Sequence, residues 1–519
     1  MRWDVVGLVL GWTIRLVAVP LAVVAVYSCY QEGLEMGLRT FLAPLVLAVL
    51  LGQSLVSLSK DADASTRVRD REAFASVALG WIPVVAVGAL PFWLGGMFYG
   101  PFEYMDGTAS HSDVLAGLLH SWFESMSGFT TTGATVIDHT TSPMCLEGAE
   151  QDCIRSQRRS LILWRSLSQW LGGMGVIMLG LLILSRSLGG GMALARAELT
   201  GPSVSQLGIS LESTARRLWT IYVALTLMEM ALLNFVGGMG IFDAVNYSLT
   251  TLPSGGFTTS DEGVMGFGSA RIEVILMVFM LLTCINFSLL YFAMAGRSRE
   301  VWKDEELRTY LLILFLAWLA MAFNLYRSGT NGGTEAIRQA LFQAISISST
   351  GYSSADFSSW PVFSKFVLLL LMIVGASAGS TGGGLKVLRI RIAFELAKRE
   401  VLRIIKPRKV VAIRFNEQVI EESKVWIIIG MISSWLVLAT VSLLLFSMLE
   451  TELDMETILS VVISLLGNTG PALGAYGPTS TWASLSHPSL LISTFLMWLG
   501  RLELLTVLVL LHPRTWGPD

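Results

Sequence analysis

The sequence predicts an all-α polytopic membrane protein. Four covalently linked units, each a long helix, a short helix, a turn and a second long helix, are expected to surround one axis, preceded by two extra transmembrane helices. Three observations carry this expectation. Of the 519 residues, 53% are hydrophobic and only 14% charged, with a mean hydropathy of +0.62, whereas soluble domains carry about 25% charged residues. One short polar device recurs four times: GFTTTGATVID at 128–138, LPSGGFTTSD at 252–261, SSTGYSSAD at 348–356 and GNTGPALG at 467–474. Basic residues also gather in the loops between units, and their placement, not the net charge of −3, sets orientation.

In order, Met1 to Tyr30 is apolar apart from Arg2, Asp4 and Arg15 and has no cleavage-site pattern, so it reads as a retained helix and not a signal peptide. Gly37 to Leu58 is a second span, and the loop to Glu72, with Lys60, Arg67, Arg69 and Arg71, is expected to be cytoplasmic. Residues 1–72 form this N-terminal pair. The repeat follows as 73–217, 218–308, 309–424 and 425–519. Its first spans are Ala73–Phe98, Leu218–Val236, Thr309–Tyr326 and Val425–Leu449; its second spans are Ser160–Leu184, Ile272–Met294, Val362 to about Leu396, and Ser489–Leu511. The segments between, Asp113–Met126, Phe242–Leu252, Thr334–Ile347 and Met455–Leu466, are too short to cross a bilayer and read as re-entrant. Irregular backbone behind them is tolerable at membrane depth only inside protein or beside water, so the four turns are expected to line a pore.

Arg186, Arg196, Arg216 and Arg217 follow the first unit, and Arg297, Arg299, Lys303 and Arg308 the second. Lys386 to Arg414 holds ten basic residues after the third. These loops are expected inside, with both termini cytoplasmic and the turns entering from outside. Arg155, Arg158 and Arg159 then fall outside, where only a headgroup contact is expected. Cys145 and Cys153 share one outer loop and can bridge if it meets an oxidising side; Cys29 and Cys284 read as buried and inert.

The turns, Thr131–Ala134, Ser254–Phe257, Ser349–Tyr352 and Asn468–Pro471, contain no carboxylate or histidine. That excludes a transition-metal site and acid–base catalysis there. They offer carbonyls, hydroxyls and glycines that permit positive φ, a neutral set suited to a dehydrated monovalent cation. No nucleophile, base and orienter assemble in the sequence, and no phosphate-cradling GxxxxGK[ST] is present. An enzyme and a nucleic-acid partner are not expected; the lipid bilayer is the expected surrounding.

These turns, together with QWLGGMGVI at 169–177, GSTGGGLKVLRI at 379–390 and GRLELLTVLVL at 500–510, resemble the Trk/Ktr/HKT superfamily of potassium transporters over essentially the whole chain. The two helices before Ala73 favour its bacterial TrkH/TrkG branch over the shorter Ktr type. The resemblance implies four M1-P-M2, potassium-channel-like units around one central pore, K⁺ as the transported ion, no bound cofactor, a homodimer in the cytoplasmic (inner) membrane, and a cytosolic nucleotide-binding, TrkA-like regulatory subunit. It assigns a K⁺ filter to Thr131, Thr132, Gly133 and Ala134; Ser254, Gly255, Gly256 and Phe257; Ser349, Thr350, Gly351 and Tyr352; and Asn468, Thr469, Gly470 and Pro471. The ion-contacting positions among these are Thr131, Thr132, Ser254, Gly255, Ser349, Thr350, Asn468 and Thr469. Glycine at all four filter positions matches the K⁺-preferring members, and Gly255 departs from the threonine of the other turns.

The second informative stretch is the small-residue run Gly375, Ala376, Ser377, Ala378, Gly379, Ser380, Thr381, Gly382, Gly383, Gly384. By resemblance it is an intramembrane gating loop below the filter; close helix contact through small residues is the alternative. Arg501, costly at mid-membrane, is expected to face the interior; the resemblance gives it a part in gating beside that loop, and a structural ion pair with Glu503 or another carboxylate is the alternative. Glu124 reads as a brace on backbone N–H groups, or as an outer cation attractor. Arg15 and Arg165 are expected to snorkel or pair, Glu229 and Asn286 to hydrogen-bond between helices, and His120 and His139 to be interfacial, not proton carriers. The basic stretch from Lys398 to Arg414 has three readings: a positive-inside anchor, an anionic-lipid contact, or a docking surface for the partner, the last suggested by the Val410–Phe415 alternation. The expected function is a gated K⁺ pathway; the alternative is K⁺/H⁺ or K⁺/Na⁺ symport, which needs a titratable or second ion site that the turns lack.

Overall fold

The computed structural model describes residues 1–59, 70–145, 152–175, 211–329, 332–408, 411–502, 504, 506, 510 and 512–516. Lys60, Arg67, Arg69, Ile177, Arg186, Arg196, Lys409, Val410, Glu503 and the ends of the first and fourth second spans lie outside the described residues.

Helices α1 (Trp3–Glu32) and α2 (Leu34–Leu58) form a hairpin about Gly33, whose φ of 99° suits glycine. Gly11 and Gly52 let the two backbones approach so closely that a Cβ on either would meet the other's carbonyl at 2.8 Å. The hairpin is anchored to the rest of the chain by Glu32, which accepts Ser160 N at 2.9 Å and Ser160 Oγ at 2.7 Å.

Four helical segments follow with one order. Long helices α3 (Asp70–Leu94), α6 (Leu211–Phe235), α10 (Glu305–Ser328) and α14 (Glu422–Leu449) precede short helices α4 (His111–Phe129), α7 (Ile241–Thr251), α11 (Gly333–Ile347) and α15 (Met455–Gly467). Ser110 and Asp454 start two of the short helices as N-caps, accepting Asp113 N and Thr457 N. Each short helix stops just before one of the repeated turns, whose glycine lies in the left-handed region: φ is 87° at Gly133, 76° at Gly256, 84° at Gly351 and 101° at Gly470. After the turns come α5 (Arg159–Gly173), α8 (Ala270–Cys284), α12 (Val362–Val374) and α16 (His487–Arg501).

Among the described residues, six helices are long and apolar enough to cross a membrane: α1, α2, α3, α6, α10 and α14. The expected unbroken second span of the second unit is corrected here, while that of the third is interrupted where the small-residue loop was expected. The second one bends by 107° between α8 and α9 (Phe287–Met294). The third ends at Val374, and helix α13 (Val387–Ile405) starts only after a twelve-residue loop. The two breaks support one another, since Ser377 N donates to Cys284 O at 3.1 Å and Phe287 N to Gly379 O at 3.0 Å. Each break thus satisfies backbone groups that the other frees.

The described end of the Val410–Phe415 alternation, Arg414–Phe415, is one strand of a hairpin folded onto its own chain. Strands β1 (Arg414–Phe415) and β2 (Gln418–Val419) pair across Asn416 and Glu417, both at positive φ as a two-residue turn needs. Ile413, Phe415 and Ile420 join Ala378, Leu388, Ile392 and Val425 in one cluster. Asn416 accepts Glu305 N and donates to Asp304 Oδ2, both at 2.8 Å.

Arg155, Arg158 and Arg159, expected to meet only headgroups, have partners within the chain. Arg158 donates to Gly95 O at 2.6 Å, Arg155 lies 4.0 Å from Asp243, and Arg159 sits 5.3 Å over the Phe242 ring. Cys145 and Cys153 are disulfide-bonded. Cys284 is buried, while Cys29 is partly exposed.

Candidate functional site

The four turns meet in a closed ring. A Cβ added at Gly133 would collide with the carbonyl oxygen of Gly255, one at Gly256 with that of Thr350, one at Gly351 with that of Thr469, and one at Gly470 with that of Thr132. The contacts run from the first turn to the second, third and fourth and back to the first, which places the four carbonyls around one axis. Only glycine fits these positions, on steric grounds and because of the positive φ. Thr131, Ser254 and Asn468 also hold left-handed φ, at 54°, 58° and 50°, a conformation that non-glycine residues keep only where the surroundings enforce it.

That enforcement comes from side chains behind the ring. Glu124 of α4 accepts Val136 N at 3.1 Å and the Thr135 hydroxyl at 3.0 Å, and is itself held by Arg165 Nε at 2.6 Å. The bracing arrangement, not an exposed outer carboxylate, is the one found, since Glu124 is fully buried. Arg165, equally buried, also donates to Thr258 O at 2.9 Å and stacks 3.5 Å from the Phe257 ring. Tyr352 reaches from the third turn to the second short helix, with its hydroxyl 2.5 Å from Thr250 Oγ1. Asn468 Nδ2 bonds Thr132 Oγ1 and Met497 O, each at 2.9 Å. Gln169 Nε2 donates to Gly255 O at 2.7 Å and its Oε1 accepts Phe257 N at 3.2 Å.

One side of the ring opens to a cavity of about 660 Å³ lined by the four turn glycines and, farther out, Asp138, His139 and Asp261. His139 Nδ1 is 2.5 Å from Asp138 Oδ1. Cys153 N and Ile154 N both donate to Asp261, at 2.6 and 3.0 Å, which ties the disulfide-closed segment to the second turn's outer limb. The other histidine singled out in the sequence, His120, is buried against Phe98 and His487.

The opposite side of the ring meets the small-residue loop, which is not helical. Gly375, Gly379 and Gly384 have φ of 69°, 72° and 81°, and Lys386 at its end 74°. Thr381 Oγ1 is 3.1 Å from Ser254 Oγ, a Cβ on Gly382 would meet Ser349 Oγ at 2.5 Å, and one on Gly383 would collide with Gly467 O and lie 3.3 Å from Asn468 Cβ. The loop therefore lies directly against the inner ends of three turns, too close for side-chain bulk. Asn286 packs on Gly379 and caps Ser288 N at 2.8 Å.

Three charged side chains fasten the loop. Arg501 donates to Thr381 O at 3.0 Å and to Gly172 O and Gly173 O at 2.8 Å. Lys386 Nζ donates to Gly382 O. Glu306, in the first turn of α10, accepts Ala378 N at 2.7 Å and Leu388 N at 3.1 Å on one oxygen. Sequence reasoning passed over Glu306 because an acidic helix start is ordinary. It also passed over Gln169, although the missing threonine at Gly255 was a signal that something else fills that place. Glu229 is buried in α6 beside Thr251, and Arg15 lies 4.4 Å over Trp12.

Chemically, the ring offers neutral oxygens aimed at one axis, a set suited to a large, weakly hydrated cation. Among the described residues no group of three or more His, Cys, Asp or Glu could hold a metal. Comparisons with known proteins agree with this architecture. Residues 39–515 match the TrkH family model, described as cation transport protein. The Trk system potassium uptake protein TrkH of Halomonas elongata is 34% identical over 475 residues, 91% of each chain. That of Escherichia coli K12 is 33% identical over 495 residues, 94% of this chain and 93% of its own. The crystal structure of the potassium transporter TrkH from Vibrio parahaemolyticus superposes with a TM-score of 0.82 at 27% identity, covering 100% of both chains. The chain belongs to the TrkH family of cation transport proteins.

Proposed function

We propose that this chain is the potassium-translocating subunit of a Trk uptake system, a gated, K⁺-selective pore along the axis of its four units. The observation that carries the reading is the closed ring, in which every turn glycine abuts the preceding carbonyl of the next turn. Carbonyls arranged this way replace the hydration shell of a monovalent cation without adding net charge. The short helices end at the ring, so the negative ends of their dipoles favour a cation there.

In this reading the filter comprises the four turns, with K⁺ as substrate contacting the backbone and hydroxyl oxygens from Thr131 to Thr469. The gate is the loop from Gly375 to Gly384 with Arg501, because it lies against the inner ends of Ser254, Ser349 and Asn468. Basic residues on α13 and the preceding inner loops support a cytoplasmic face there and cytoplasmic termini. A homodimer in the inner membrane and a cytosolic nucleotide-binding regulatory subunit go with the reading through the resemblance. Coupled symport is not favoured, since no carboxylate or histidine lies in the turns themselves.

The test replaces Gly133 or Gly351 by serine and measures the K⁺/Na⁺ permeability ratio of the purified protein in liposomes. A fall of the ratio toward unity is expected, because the new Cβ displaces a ring carbonyl. An unchanged ratio in both variants sinks the filter assignment.

A further inference from the structure

In three of the four turns, the backbone N–H three residues beyond the glycine is held by a side chain of that unit's own short helix. Glu124 holds Val136 N at 3.1 Å, and Ser460 holds Leu473 N at 2.8 Å. Gln343, with its carboxamide oriented to satisfy both of its ends, accepts Ser354 N at 2.9 Å and donates to Tyr352 O at 3.3 Å. The second turn differs. Its short helix reaches the Thr259 hydroxyl through Asp243, at 2.6 Å. The backbone around Gly256 is instead held from the first unit, by Gln169 at Gly255 O and Phe257 N and by Arg165 at Thr258 O.

This second turn is also the one with glycine where the others have threonine. A Cβ on Gly255 would collide with the carboxamide of Gln169. Gly255 does not have positive φ, so its backbone would accept a side chain if the space were free. Gln169 is fully buried. Its amide therefore takes the place of the missing threonine side chain and hydrogen-bonds one of the four ring carbonyls. A carbonyl that already accepts an N–H is fixed in position and offers less of its negative charge to an ion.

We propose that Gln169 is a selectivity-determining positioning residue, a substitute from the neighbouring unit that sets the position and field strength of the Gly255 carbonyl. The proposal rests on the filter reading above. It makes the ring unequal by construction, because the Gly255 carbonyl accepts a side-chain N–H from the neighbouring unit.

The test compares Gln169→Leu, Gly255→Thr and the double variant Gln169→Ala with Gly255→Thr, with Gly351→Ser as a control, by reversal potentials under K⁺ and Na⁺ gradients in planar bilayers. Leucine keeps the volume but neither hydrogen bond, and the K⁺/Na⁺ permeability ratio is expected to fall about tenfold, the order of one lost buried hydrogen bond. Gly255→Thr alone is expected to abolish selective conduction, and the double variant, which vacates the space the threonine needs, to restore it. An unchanged ratio in Gln169→Leu while Gly351→Ser loses selectivity overturns the role of Gln169 and leaves the filter standing. Unchanged ratios in both mean that the filter reading has failed and this inference with it. If Gln169→Leu does not accumulate, the double variant decides: restored selective conduction supports the proposal, and its absence overturns it.

Discussion

Glu306 makes the gating account quantitative. One carboxylate oxygen accepts Ala378 N at 2.7 Å and Leu388 N at 3.1 Å, so it pins both the small-residue loop and the start of the helix that follows. If the loop leaves the axis when the pore opens, these two bonds belong to the closed state alone. A hydrogen bond to a charged group contributes about 1.5 kcal/mol at the low end, so Glu306→Ala removes about 3 kcal/mol from the closed state. That shifts the closed-to-open ratio by roughly 100-fold. Glu306→Gln keeps an oxygen in the same place but at about half the bond strength, and is expected to shift the ratio by about tenfold. The assay is the open probability of single purified proteins in planar bilayers, read beside thermal stability to exclude general unfolding. The reasoning is refuted if the alanine variant, equally stable, opens no more often than the parent, or if glutamine opens the pore more than alanine does.

Other expectations follow from the same contacts. Breaking the buried Glu124–Arg165 pair by Glu124→Ala leaves an uncompensated guanidinium, and a loss of about 3 to 5 kcal/mol is expected in thermal unfolding; Arg165→Ala is expected to cost about as much. Reduction of the Cys145–Cys153 bond, or Cys→Ser at both positions, removes the closure of a short loop with a sequence separation of 8. A destabilisation of about 2.5 kcal/mol is expected from chain entropy, seen as a lower melting temperature with dithiothreitol that vanishes in the double serine variant. Asn416→Gly keeps the positive φ but loses both side-chain bonds to Asp304 and Glu305. It is expected to cost about 1 to 3 kcal/mol and, through the neighbouring Glu306, to raise the open probability in the same assay.

The helix order and the four turns were legible in the sequence because they depend on local chemistry. Glycines at positive φ, threonines and a change from apolar to polar run mark each turn without knowledge of its neighbours. The breaks at Cys284–Phe287 and Val374–Val387 were only half legible. The small residues of the second announced a non-helical stretch, but the first is made by backbone exchange with that loop, and in LTCINFSLL only the N-cap residue Asn286 marks it. Arg155, Arg158 and Arg159 looked like headgroup contacts because their partners, Asp243, Gly95 O and Phe242, are distant in sequence. The Val410–Phe415 alternation suggested an unpartnered strand, but Arg414–Phe415 pairs with a strand just past Asn416–Glu417, a turn signal weaker than Asn-Gly. Gln169 and Glu306 act across unit boundaries or on backbone N–H groups; Glu306 leaves no local pattern, and for Gln169 the glycine at 255 showed that a place was filled but not by which residue.

Rubidium flux into liposomes containing only the purified chain, with K⁺, Na⁺ and pH gradients varied independently, tests the central claim most directly. The account predicts flux that follows the K⁺ gradient and membrane voltage and does not respond to the other two gradients. Uphill K⁺ or Rb⁺ accumulation driven by an imposed proton or sodium gradient would contradict it.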